Sequence, residues 1–226
     1  MQRPRRLALA LLVAWGVSGV AGAARAEASD RAVVERLARI ERVLAAEAPA
    51  ARAWRTSWLV TYGGLTAVQG AGALVLEDRG RSIDLAVGAA KSALGFGAVL
   101  LRPWSPVTAV ARLRALPEGT PAERRAKLRE AERLLDEAAA DEERGVGWLA
   151  RIAGNVVNLA GMTYLFIAHQ RYASGWLSLP TGLAVGELQL RTQPVGAMRA
   201  QRSLGVGVVV QPAASQGWTV GLVAPW

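Results

Sequence analysis

The side chain with the most chemistry to account for is Lys91, an ammonium in the middle of the apolar stretch 83–101. A cation in such a setting must be neutral, paired or turned toward water. Two carboxylates are its candidate partners. Asp84 lies seven residues earlier, on the same helical face but about 10 Å along the axis, and Glu187 lies near the last apolar segment. Read functionally, Lys91 marks a proton or anion site inside a bundle. Read structurally, it belongs to a buried pair or faces an aqueous surface, and this second reading is preferred. Gln69, Asn155 and Asn158 are amides within apolar stretches. Together with Lys91 and Glu187 they compose a candidate intramembrane polar cluster, adhesive rather than catalytic.

The remaining reactive residues are few. His169 is the single histidine and cysteine is absent, which rules out a thiol nucleophile, a disulfide framework and Cys-ligated zinc. His169 falls at a segment end with Tyr164 and Arg171, where an interfacial role outweighs general-base work. Ala90-Lys91-Ser92 has the ending of a phosphate loop without its glycine or preceding strand, and is rejected as one. No catalytic, cofactor-binding or metal-binding residue is assigned, and no enzyme is expected. An envelope enzyme would have to draw on His169, Glu187 or Asp84.

The charge of +9 points toward nucleic acid only until it is placed along the chain. Arg3, Arg5, Arg6 and Arg25 precede residue 27. Without them, 23 basic side chains face 18 acidic ones, a balance of +5 mixed in sign. No basic stripe interleaves with aromatics, so nucleic acid is excluded as a partner.

Residues 1–26 carry the three parts of an export signal: early arginines, an apolar run over 7–20, and small residues ending at Ala24-Arg25-Ala26. Cleavage is expected before Glu27, and an uncleaved anchor is the alternative. Residues 27–54 follow as an amphipathic helical segment. Val33, Leu37, Ile40 and Leu44 recur at helical spacing, and Pro49 marks the expected end.

Residues 55–190 read as an apolar helical bundle. The stretch 58–76 holds nineteen residues without a charge, the length of a bilayer span. With 83–101 it predicts an antiparallel hairpin with flat ridges of small residues. Thr120-Pro121-Ala122-Glu123 gives a capping box for a charged cover helix over 120–144, whose narrow apolar face is Leu128, Ala131, Leu135 and Ala138. A third segment, 148–168, just reaches spanning length. A fourth, 176–185, is broken by Pro180 and reads equally as a short span or a re-entrant piece. Residues 191–226 change texture to a β-like tail.

The expected fold is therefore mainly α: a membrane helical bundle of three to four apolar helices with amphipathic helices and a short β-like tail. The expected function is that of an exported bacterial envelope protein, integral to the membrane, with a structural or interaction role. A small-solute transporter or channel component with a polar path near Lys91 is the alternative. Partners are membrane lipid and a homo-oligomer or envelope protein, with the inner membrane preferred over the outer membrane or periplasm. One tension stands in this reading. An exported start places 102–147 outside, yet this connection holds nine basic residues against two in 77–82, the reverse of the positive-inside rule.

Overall fold

Leu37, Ile40 and Leu44, the helical stripe of the first amphipathic segment, sit on the inner face of a single long helix, α1 (Arg5–Val75). In this computed structural model the backbone is described for residues 5–102, 104–205, 207–212 and 218–223, and side chains for residues 27, 29–102 and 104–204. The side chains of the export-signal region 1–26 thus lie outside the described residues. After α1 come α2 (Arg79–Leu101), α3 (Ser105–Arg114), α4 (Pro121–Val146), α5 (Trp148–His169), α6 (Tyr172–Arg191) and α7 (Gly196–Gly205), then β1 (Gly207–Pro212) and β2 (Trp218–Val223). The chain is mainly helical.

Pro49 does not end the first helix, contrary to the sequence reading. Its ring is exposed, while Leu44, Ala48, Ala51 and Trp54 on the inner side are buried. A proline inside a helix loses one backbone hydrogen bond and crowds the preceding turn. Here packing on both sides of it carries the helix through, so the amphipathic segment and the apolar segment 58–76 form one rod.

The rod joins two regions of different character. Its middle, from Leu37 to Leu44, packs with α3, α4 and α7 into a polar head with its own core. Ile40 and Leu44 meet Leu113 of α3, Leu134 and Leu135 of α4, and Ala197 of α7. Its second half lies along α2, and α5 lies along α6, giving two antiparallel hairpins that meet through α2 and α5. At the boundary, Trp54 stacks on Trp104 at 5.0 Å between centroids, with Trp58, Tyr62 and Val99 packed beside them.

Local signals explain the helix ends. Thr120 accepts from Glu123 N, and Glu123 returns a hydrogen bond to Thr120 N, closing the capping box that starts α4. α4 is more than a solvated cover, because Leu134, Leu135, Ala138, Ala139, Asp141 and Glu142 are all buried. Its inward face is wider than the stripe visible in sequence. Asp78 caps α2 through Arg81 N, at 2.9 Å. The α5–α6 turn closes at Gln170, whose φ of 53° is left-handed. Arg171 N donates to Leu165 O and Gln170 N to Phe166 O, which satisfies the last carbonyls of α5.

Among the described residues, two helical stretches are long and apolar enough to cross a membrane, within Arg79–Arg114 and Pro121–His169, and only 17% of each apolar window is buried. That is fewer than the three to four spans expected. Gly63, Gly64, Gln69, Gly70 and Gly72 dilute the apolar character of the end of α1, and Pro180, Gly182 and Gly186 do so in α6. α6 itself is one helix through Pro180. Pro180 does not break it, and Glu187 lies within it. The start of the tail is also corrected. α7 occupies Gly196–Gly205, with Ala197 and Met198 packed on the head core. Beyond it β1 and β2 pair antiparallel, Val209 opposite Gly221.

Candidate functional site

Lys91 leaves α2 toward the α5–α6 hairpin. Its ammonium donates to Ser178 Oγ at 2.9 Å and Ser178 O at 3.2 Å. The approach is close enough to require glycines on the opposing helices. The Lys91 stem fills the space a Cβ on Gly161 would need, and the Lys91 ammonium and the Asn158 carboxamide crowd the same position at Gly182. Asn158 is buried and donates Nδ2–H to Gly154 O at 3.0 Å, leaving its amide oxygen on the side of Gly182. The ammonium thus sits among neutral oxygen acceptors.

Pro180 is part of this arrangement. Having no N–H, Pro180 cannot donate to Trp176 O four residues earlier, and the neighbouring carbonyls of the same turn take side-chain donors. Thr181 Oγ1 donates to Leu177 O at 2.8 Å, and Lys91 serves Ser178 O. The lysine therefore ties the turn of α6 that holds Pro180 to α2.

Neither expected carboxylate reaches Lys91, which corrects the sequence-based pairing. Asp84 is held by Arg171 through Nε at 2.7 Å and Nη2 at 2.5 Å, and by Ser174 Oγ at 2.7 Å. This bidentate pair ties the two hairpins together at the end remote from the head. Glu187 lies between Arg151, at 2.6 Å, and Arg191, at 2.8 Å, at the head end of α5 and α6. Arginine has the planar fork for a carboxylate, and both acids are already taken up by it.

The other members of the proposed cluster disperse. Gln69 accepts from Ser92 Oγ at 3.3 Å on the α1 side of α2. Asn155 is exposed on the outer face of α5. Only Lys91 and Asn158 come together. His169 contacts Tyr164 ring to ring at 5.0 Å, edge to face, while Arg171 turns away to Asp84. Among the described residues no group of three or more acidic or histidine side chains could hold a metal ion.

Several residues that matter were not singled out in sequence. Ser178 and Gly182 had no signal beyond their place around Pro180. Gln189 and Thr192 receive the boundary aromatics: Tyr62 donates to Gln189 Oε1 at 2.8 Å and Trp58 Nε1 to Thr192 Oγ1 at 3.2 Å. Asp141 and Glu142 read as charges on a solvated helix but are buried in the head. Burial works against the charge on Asp141, and hydrogen bonds from Ser105 together with the Arg144 guanidinium outweigh it, holding the carboxyl below its ordinary value.

Comparison with protein families, with curated proteins and with solved structures returned no match. The functional reading rests on these residues.

Proposed function

We propose that this chain is an exported integral membrane protein of the bacterial envelope, with a structural or interaction role. The two hairpins lie in the bilayer and the head of α1, α3, α4 and α7 stands on one face of it. The observation that carries this reading is the division of the molecule. The head buries its own apolar core, whereas the hairpins turn large apolar side chains outward: Leu74 is 88% exposed, Leu101 83% and Ile167 80%. Exposure on that scale suits lipid and not water.

Aromatic and charged residues supply a second support. Exposed aromatics stand at both ends of the hairpins, Trp148 at the head end and Tyr164, Tyr172 and Trp176 at the opposite end, in the manner of interfacial belts. From Asp84 to Arg102, and again from Arg151 to His169, eighteen helical residues rise about 27 Å, close to the hydrocarbon thickness of a bilayer. The ionic residues Asp84, Arg171, Arg151 and Glu187 fall near these limits, and Lys91 lies between them.

The absence of cysteine makes single-cysteine topology mapping direct. Ala140→Cys in the head and Glu77→Cys in the distal turn are treated with a membrane-impermeant maleimide on spheroplasts. Labelling at residue 140 before lysis and at residue 77 only after lysis is expected for an exported head. The opposite pattern overturns the orientation, and equal labelling of both positions before lysis overturns the spanning reading.

The position of Lys91 favours one further reading, passage of a small solute along α2, α5 and α6. In that case Lys91→Met abolishes transport by reconstituted protein while leaving its accumulation and folding intact. A purely structural lysine gives the reverse.

A further inference from the structure

In the head, two carboxylates from different helices converge on the start of α7. Glu142 of α4, 1% exposed, accepts from Met198 N at 2.8 Å and Ala197 N at 3.3 Å. Glu47 of α1 occupies the space a Cβ on Gly196 would need, one residue earlier on the same terminus. A helix N-terminus presents about half a positive charge, enough to favour one carboxylate and too little for two. The other charges facing Glu142 are Arg199 of α7 and Arg102 at the end of α2. Arg102 donates instead to the carbonyl of Asp141 and, at 3.0 Å, to Gln193 Oε1. Gln193 in turn donates to Glu142 O at 2.9 Å, so the polypeptide leading into α7 is fastened beside the same acid.

We propose that Glu142 and Glu47 form a proton-controlled latch that sets how tightly α7, and the β1–β2 hairpin that follows it, is held to the head. With Glu142 protonated, its carboxyl sits at the start of α7 with no buried charge facing Glu47. With Glu142 ionised, a buried carboxylate faces Glu47 across the helix terminus, and α7 is loosened from Leu134 and its neighbours in the core. Burial raises Glu142 above its ordinary 4.5, against the backbone hydrogen bonds from Met198 and Ala197, and the charge of Glu47 adds to the rise. A group raised in the docked state stabilises docking fully below its undocked value and loses that contribution as pH climbs through the raised value. Attachment of α7 is therefore strongest in acid, weakening from about pH 4.5 upward.

Hydrogen exchange read by mass spectrometry on the full chain in lipid nanodiscs, corrected for intrinsic rates, tests the latch. In the unmodified protein, protection of residues 197–202 is expected to fall between acid and neutral pH. In Glu142→Gln the dependence on pH disappears. Glu47→Gln, which alters a less buried side chain, lessens the dependence and raises protection at neutral pH. Protection that rises with pH, or an unchanged slope in Glu47→Gln, overturns the proposal even if Glu142→Gln does not fold.

Discussion

Asp141 and Glu142 are adjacent on α4, yet each caps a different helix. Asp141 accepts from Ser105 N at 3.0 Å and from the Ser105 hydroxyl at the start of α3, and Glu142 accepts from Ala197 and Met198 at the start of α7. One turn of α4 thereby positions two others, and the head is organised from it. Each carboxylate satisfies backbone donors that would otherwise be orphaned in a buried setting.

Loss of the first cap has a defined cost. Asp141→Ala is expected to destabilise the head by about 1–3 kcal/mol, the usual penalty for stranding a buried donor. Because the Asp141 carboxyl is held below its ordinary 3.8, its contribution is present above that value and lost as pH falls through the lowered one. Thermal unfolding followed by circular dichroism should show this acid loss diminished in Asp141→Ala.

Gln170 adopts a left-handed backbone without being glycine. This conformation costs a residue bearing a Cβ roughly 1–2 kcal/mol. Gln170→Gly is expected to stabilise the α5–α6 hairpin by about 1 kcal/mol, part of the gain being offset by the greater chain entropy of glycine when unfolded. A rise in the unfolding midpoint in detergent checks it.

Much of this organisation was legible in sequence, and the reasons for what was not are local. The capping box at Thr120 and the stripe Leu37, Ile40, Leu44 depend on near neighbours, so spacing alone exposes them. Pro49 and Pro180 misled because the packing that carries a helix past a proline comes from other parts of the chain. The partner of Lys91 was hidden for the same reason. Proximity in sequence suggested Asp84, whereas the fold gives Asp84 to Arg171, 87 residues away, and gives Lys91 to Ser178, two residues before Pro180. α7 was missed because Gly196 and Gly205 at its ends, together with the strand-like residues that follow, conceal a short helix.

The pairing of Asp84 with Arg171 can be tested by exchange. Arg171→Asp alone faces Asp84 with a like charge and is expected to lower resistance to detergent denaturation. Asp84→Arg combined with Arg171→Asp restores most of it, because the two positions face each other across the hairpins. Equal defects in the single and double variants would separate the two residues.

Gly182 tests the cradle around Lys91 without altering the lysine. A Cβ there collides with the Asn158 carboxamide and crowds the ammonium. Gly182→Ala is expected to cost about 1–3 kcal/mol, as in overpacked interiors. Gly186→Ala, where no atom lies within 4 Å of the added carbon, should be neutral or slightly stabilising through helix propensity.

The central claim, that the outward apolar faces of α2 and α5 are covered by lipid, is tested most directly by fractionation. Cells expressing a C-terminally tagged chain are lysed, inner and outer membranes are separated, and each is extracted with alkaline carbonate. A lipid-covered chain stays in the inner-membrane pellet and is released only by detergent. Release into the soluble periplasmic fraction, or into the carbonate supernatant, would contradict it.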